Sequence, residues 1–325
     1  MTTSQQMFLV LSRELNFHRA AERCFVTQQC LSDHIRRLEE QYGTALVFRR
    51  PKVALTPAGQ ALLQVLQREQ VLEQDLQRQL QELAQGQRGT IHLGINSSRA
   101  QVMVPQILAQ FRTSSPSSTV VIHLLDTRQM ERELAAGTLD CFIGVDTAPG
   151  HGRVMVPLLK EDIYLLIPQA MLPQLAVPIT DQAPIPLSAV AGLPFVRNLP
   201  GSTLNGKVDT LLEQAGLRLT EMAAVSDYST QIELCRRGLA AAFCPQMLVE
   251  HWGKSHLEEE GLAVFPVAGL QSTLRLDLVY DASRLYPECV HQMLRCIGSI
   301  HWSAVWDGKN PLSAVEKSKI FSMEV

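Results

Sequence analysis

The sequence has no run of about eighteen apolar residues, the length a bilayer-spanning helix needs. Its first ten residues, MTTSQQMFLV, place no basic group ahead of the short apolar run Met7–Leu11. Neither a membrane span nor a secretory leader is expected, and the chain reads as cytoplasmic. The seven scattered cysteines form no CxxC; in a reducing compartment such thiols are mostly small buried side chains. HExxH, GxSxG and GxGxxG are absent, and the nine histidines are dispersed with no metal-ligand spacing beside the cysteines. No metal, no cofactor and no enzymatic chemistry are expected from this inventory. Residues 201–207, GSTLNGK, approach a P-loop, but Val208 stands where Ser or Thr must hold Mg²⁺. A glycine turn capping a helix is the expectation there.

What the chain does have is unevenly placed charge. It carries 29 Lys and Arg against 32 Asp and Glu, net −3, with 46% hydrophobic and 19% charged residues. Residues 1–58 hold eight basic side chains (Arg13, Arg19, Arg23, Arg36, Arg37, Arg49, Arg50, Lys52) and five acids (Glu14, Glu22, Asp33, Glu39, Glu40). The head thus has a surplus of three positive charges and the remainder a deficit of six. A basic head on an acidic body points to an anionic partner at the head. At 325 residues the chain exceeds one ordinary core, and about two or three domains are expected.

The head reads as short helices. Phe8, Leu11 and Leu15 share one face of a helix over 4–15, joined by Leu9 and Val10; a second, over 18–25, turns Ala20, Ala21 and Cys24 inward. Thr27 caps a third, whose apolar face is Leu31, Ile35 and Leu38 and which ends at Gly43. A short strand 46–48 and its return 53–55 flank a turn at 49–52, and Thr56-Pro57 opens a helix running to about Gln85. Leu62, Leu66, Leu72, Leu76, Leu80 and Leu83 form a seam along it that a lone helix cannot bury, so homodimerisation through it is expected, with packing on a neighbouring domain as the alternative. Residues 86–89 read as a hinge. Three helices with a two-stranded wing describe a winged helix-turn-helix, whose second helix of the pair enters the major groove of double-stranded DNA by its N-terminal end. Gln28 and Gln29 stand at that end, where an amide can bond adenine bidentately. Thr27, Ser32 and Arg36 are placed for phosphate, and Arg49, Arg50 and Lys52 crowd the wing tip.

From Thr90 the pattern becomes β-α-β-α-β, with strands at 91–96, 120–125, 139–145 and 163–167 and helices at 101–111 and 129–136. A second such unit follows at 195–244, and a strand at 274–280 returns to the first, followed by a helix at 287–302. This implies an α/β body of two lobes, each on a parallel sheet, joined by two crossings with a cleft between. Ligands of such lobes sit at strand C-terminal ends, near helix N-termini that favour anions. Ser97, Ser98, Thr127, Ser202 with Thr203, and Ser226 with Ser229 mark these junctions, and Arg99, Arg128 and Arg197 lie beside them. A small anionic metabolite is the expected effector.

Residues 7–63 resemble the N-terminal domain of LysR-type transcriptional regulators. The likeness rests on Phe17, RAAERC at 19–24, Leu31-Ser32, IRRLEE at 35–40, Gly43, Phe48 with Arg50, Leu55-Thr56 and Ala58-Gly59. It implies an N-terminal winged helix-turn-helix over 1–58, a long linker helix and hinge over 59–89, and a two-lobed effector domain like a periplasmic solute-binding protein over 90–306. Lobe I is expected at about 90–165 and 270–306 and lobe II at about 166–269, with a tail at 307–325. The resemblance also implies a homotetramer built as a dimer of dimers that bends DNA, an effector held by the Ser-containing loop after the first body strand, and RNA polymerase as a candidate partner. Four departures mark this chain: His18 where a Ser or Thr cap is usual, Gln29-Cys30 in place of Pro-Ala, Asp33 where Arg is frequent, and a shortened wing. Asp33 would repel phosphate.

Two rival readings have specific handles. Peroxide-sensing members of that family use a cysteine pair spaced like Cys235 and Cys244, but earlier in the second lobe, near residues 195–215 of this sequence; Cys235 and Cys244 fall where side chains are buried. A solute-binding protein would share the two lobes but neither the basic head nor the lack of an export signal.

Overall fold

The structure is a computed structural model and describes residues 1–85, 89–150, 152–175, 183–271 and 273–302. Most of the expected hinge and the tail lie outside the described residues. The chain divides into two units, one of residues 1–87 with 135–138 and 283–287, the other of residues 88–134, 139–282 and 288–325.

Local signals build the first unit. Helix α1 (Thr3–Glu14) opens on a capping box, Thr2 Oγ1 accepting from Gln5 N and Gln5 Oε1 from Thr2 N. It stops at Leu15, whose left-handed φ of 46° turns that side chain outward, so Leu15 is exposed rather than part of the buried face. Helix α2 (Phe17–Arg23) is capped by Asn16, whose Oδ1 accepts from the amides of His18 and Arg19. His18 is therefore inside the first turn and caps nothing, because the Asn16 side chain two residues upstream already serves those donors. Helix α3 (Gln28–Tyr42) begins at its Thr27 cap and ends at Gly43, φ +65°. Strands β1 (Val47–Phe48) and β2 (Ala54–Leu55) pair antiparallel as a wing.

Helix α4 (Pro57–Gln85) has a close neighbour at its start. A Cβ on Gly59 would sit 2.0 Å from the Leu46 carbonyl oxygen, so only glycine fits there. The expected leucine seam divides. Leu62 and Leu66 join Phe8, Leu11, Leu31, Ile35 and Leu38 in the core, whereas Leu72, Leu76 and Leu80 are exposed. Further along, Asp75 is buried and held by Arg284 at 2.6 and 2.9 Å, and Val71 lies against Gly137.

The second unit carries two five-stranded sheets. In order of chain, β3 (Thr90–Ile95), α5 (Ser97–Ser114), β4 (Thr119–Leu124), α6 (Thr127–Ala136), β5 (Cys141–Val145) and β6 (Arg153–Glu161) lead to β7 (Ile163–Pro168) and β8 (Pro194–Arg197). Then come α7 (Thr203–Ala215), β9 (Thr220–Ala224), α8 (Tyr228–Arg236), β10 (Ala241–Pro245), α9 (Gln246–Trp252), α10 (Lys254–Glu259), β11 (Leu262–Pro266), β12 (Leu274–Asp281) and α11 (Glu288–Ser299). The sheets are ordered β4-β3-β5-β12-β6 and β11-β7-β10-β8-β9.

Both are mixed rather than purely parallel. β4, β3 and β5 run parallel, as do β9, β8 and β10, but β12 is antiparallel to β5 and β6, and β7 to β10 and β11. The antiparallel pairs arise where the chain crosses between sheets, at β6 to β7 and β11 to β12, since a strand entering from the other lobe has no crossover helix to reverse it. β12 returns to the first sheet as expected. No helix among the described residues is long and apolar enough to cross a membrane.

Candidate functional site

Two places collect the residues singled out above. The first is the outer face of α3. Leu31, Ile35 and Leu38 are buried, which forces the polar side outward. Gln28 and Gln29 are exposed and their amides have no partner among the described residues. Thr27 Oγ1 is engaged as the cap, accepting from Cys30 N at 3.2 Å, and Ser32 is half-buried. Arg36 lies 3.5 Å from Glu40 and 3.8 Å from Asp33, loose exposed pairs that a stronger anion can displace. His34 Nδ1 meets Ser4 Oγ at 2.8 Å and ties α3 to α1. Beside this row Thr27, Gln29, Cys30, Asp33, His34 and Arg37 line a concave patch. Arg37 is exposed, without an ion-pair partner among the described residues; sequence reasoning counts it among the basic residues of the head but assigns it no contact, although its place one turn after Asp33 and two after Gln29 is readable.

The wing treats its cations differently. Arg49 Nη2 is 2.9 Å from Glu39 Oε2, while Glu39 Oε1 accepts from the amides of Leu46 and Val47. Its guanidinium also lies 6.0 Å from the Phe17 ring centroid. Arg49 therefore braces the wing against α3. Arg50 and Lys52 are exposed and have no ion-pair partner among the described residues.

The second place is where the two sheets of the second unit approach, with α5 packed on α9. Ser98 and Arg99 are buried in the first turn of α5. Arg99 donates from Nη1 to Ser98 Oγ at 3.2 Å and from Nη2 to Glu161 Oε1; Glu161 Oε2 in turn accepts from Met247 N of α9 at 3.1 Å. Burial is the largest single influence and lowers a guanidinium's affinity for its proton, but the Glu161 carboxylate, together with Tyr228 and Cys244, outweighs it and holds the Arg99 pKa above the ordinary value. Arg197 donates to Asp209 Oδ1 at 2.7 Å. Lys207 of α7 reaches across to Asp146, after β5, at 2.9 Å; Asp146 itself is left-handed at φ 47° and braced by the Arg275 backbone. Gly201 and Ser202, at the near-P-loop, form the turn and cap of α7, Ser202 Oγ facing Asn205 N.

A buried polar chain that sequence reasoning missed runs through the second lobe. Asn198 donates from Nδ2 to the Tyr228 hydroxyl, Gln231 donates to Asn198 Oδ1, and Asn205 donates to Asn198 O at 2.7 Å. Burial pushes the Tyr228 phenol far above its ordinary pKa, so it stays protonated. Arg99 Nε, Arg197 Nε, Thr147 Oγ1 and Gln231 Oε1 are buried with no hydrogen-bond partner among the described residues. Only burial could have flagged this chain, and burial is not written in residue type.

The other expected residues are more dispersed. Thr127 starts α6 and its Oγ1 accepts from Val145 N at 3.3 Å. Ser97, Arg128 and Ser226 are exposed, with no side-chain partner among the described residues. Asp227, not Ser226, caps α8, accepting from the amide and hydroxyl of Thr230; those bonds hold its carboxyl below the usual pKa. Cys235 and Cys244 are buried, and burial pushes the Cys235 thiol up to about 12 and Cys244 well above the ordinary value. Thiols so protonated are poor nucleophiles.

Comparison with known proteins gives the family and the fold. Residues 3–60 match the family described as bacterial regulatory helix-turn-helix protein, lysR family, and residues 84–299 match the LysR substrate binding domain. A hydrogen peroxide-inducible genes activator of Pectobacterium carotovorum subsp. carotovorum is 25% identical over 280 residues, 85% of this chain and 88% of that protein. The HTH-type transcriptional regulator EstR of Acinetobacter baylyi is 35% identical over 167 residues, 50% of this chain and 54% of that protein. A full-length OxyR variant from Pseudomonas aeruginosa shares the fold at TM-score 0.58 and 22% identity, covering 96% of this chain and 99% of that one. CbnR complexed with its target DNA does so at TM-score 0.53 and 19% identity, covering 90% and 97%.

Proposed function

The chain belongs to the LysR family of bacterial transcriptional regulators, and from that premise we propose how its own residues carry the function. Helix α3 enters the major groove of double-stranded DNA with Gln28 and Gln29 at the base edges. Thr27, Ser32 and Arg36 hold phosphates beside the groove, and Arg50 and Lys52 hold those under the wing. Arg49 contributes through its brace on Glu39 more than through direct contact. The observation that carries this reading is the pair of exposed glutamines at the start of α3, which have no partner among the described residues, as Arg37, Arg50 and Lys52 nearby have no ion-pair partner among them. Duplex-binding titrations of the full chain test it: Gln28→Ala should lower affinity for a selected operator and leave random duplex unchanged. Equal losses on both would remove its base-reading role.

A small-molecule effector binds between the lobes, at the ends of β3, β4, β8 and β9. Ser97, Ser98, Thr127, Ser202 and Ser226 supply hydroxyls there, and buried acceptors such as Gln231 Oε1 supply further bonds. An anion would meet the first amides of α5 and the exposed guanidinium of Arg128, whereas Arg99 and Arg197 already hold carboxylates. Leu72, Leu76 and Leu80, exposed along α4, support a homodimer through this helix, and a pair of such dimers makes the homotetramer. RNA polymerase is the partner through which a bound tetramer acts on transcription. The names of the peroxide-responsive relatives favour a redox reading, but the buried, fully protonated Cys235 and Cys244 oppose it. Unchanged DNA binding after peroxide treatment would close that alternative.

A further inference from the structure

We infer that Asp33 reads the exocyclic amino group of a cytosine in the operator, which makes it a specificity-determining residue rather than a flaw in the binding face. The inference rests on the proposal that α3 enters the major groove.

Two polar rows run along the outside of α3, Gln28–Ser32–Arg36 and Gln29–Asp33–Arg37. The second row lines the concave patch. Asp33 sits in the middle of it, one turn after the Gln29 amide and one before the exposed Arg37 guanidinium. The walls are fixed, since Thr27 is locked as the helix cap and His34 is tied to Ser4. Asp33 is not. Its side chain is 46% exposed, its nearest cation is Arg36 at 3.8 Å, and no group among the described residues donates a hydrogen bond to it.

An ionised carboxylate only accepts hydrogen bonds. Carried into a groove walled by phosphates, it is repelled unless it meets a donor. The major-groove donors are the amino groups of cytosine and adenine, but adenine sets its N7 acceptor beside the amine, facing the carboxylate with a like partial charge. Cytosine presents its amine without that neighbour. One helical turn advances about 5.4 Å and one base step about 3.4 Å, so the Asp33 base lies about one or two pairs from the base that Gln29 touches. The half-site should therefore hold a C·G pair close to an A·T pair.

Selection of the full chain and two variants on a random duplex library tests this. The wild type should enrich a motif with a fixed C next to the adenine column. Asp33→Asn exchanges the acceptor for an amide suited to adenine and should move that one column from C to A. Asp33→Ala should flatten it, and both variants should keep every other column, which also reports that they fold. On the selected duplex, changing that C·G to T·A should weaken the wild type roughly 5- to 150-fold and leave Asp33→Ala nearly indifferent. Identical motifs from all three proteins, with both variants binding every duplex more tightly by one common factor, would overturn the inference, because Asp33 would then act only by repelling phosphate. A wild-type pool with no enriched motif would instead bring down the operator-reading proposal, and this inference with it.

Discussion

The outer face of the first unit and the interior of the second treat their cations in opposite ways. On the outer face of the first, Arg37, Arg50 and Lys52 are exposed and without ion-pair partners among the described residues. Within the second, Arg99 and Arg197 each meet a carboxylate, of Glu161 and Asp209. A cation left in water costs little and stays available to a polyanion, whereas a buried one must be neutralised internally. A cluster of arginines in a sequence is therefore not a ligand site until burial is known. Arg49 makes the same point within the first unit, since Glu39 claims it while its neighbour Arg50 has no ion-pair partner among the described residues.

Perturbing the buried member of this comparison should have the largest effect. Glu161→Gln leaves the Arg99 guanidinium buried against a neutral amide and should destabilise the second unit by ~3–5 kcal/mol. The three tryptophans all lie beyond residue 250, so their fluorescence during denaturant unfolding reports that unit selectively. A change below ~1 kcal/mol would mean that the pair is not the buried contact described. On the exposed side, Gln28→Ala should reduce operator affinity by ~1–3 kcal/mol without altering stability. Arg50→Ala should weaken all duplexes alike and shallow the slope of log affinity against log salt by about one unit. Arg49→Ala should give the smallest change: a salt slope close to that of the wild type and at most ~1 kcal/mol lost from the stability of the first unit, followed by circular dichroism. If Arg49→Ala shallowed the slope as much as Arg50→Ala, the distinction between engaged and free cations at the wing would vanish.

The first unit was largely legible because its signals are local. Thr27, Gly43 and Thr56-Pro57 mark element ends within a few residues of the groups they satisfy, and Leu31, Ile35 and Leu38 set one face by period alone. What was misplaced there was a competition between neighbours, Asn16 against His18 for one set of amides. In the second unit, strand and helix alternation was readable, but β6 and β11 were not, because they form at the crossings, where pairing partners are remote in sequence. Arg99 and Glu161 stand 62 residues apart, so nothing near Arg99 announces that its charge is already held. The buried chain through Asn198, Tyr228 and Gln231 was hidden for the same reason: polar residue types suggest surface until the fold encloses them.

The most direct test of the account is the salt dependence of duplex binding by the full chain, measured on DNA selected from a random library and on unselected DNA. The account predicts measurable binding to both at low salt, a steep negative slope of log affinity against log salt on each, and a preference for the selected sequence that persists as salt rises. Absence of binding to either duplex in dilute buffer, or equal affinity for both at every salt concentration, would contradict it.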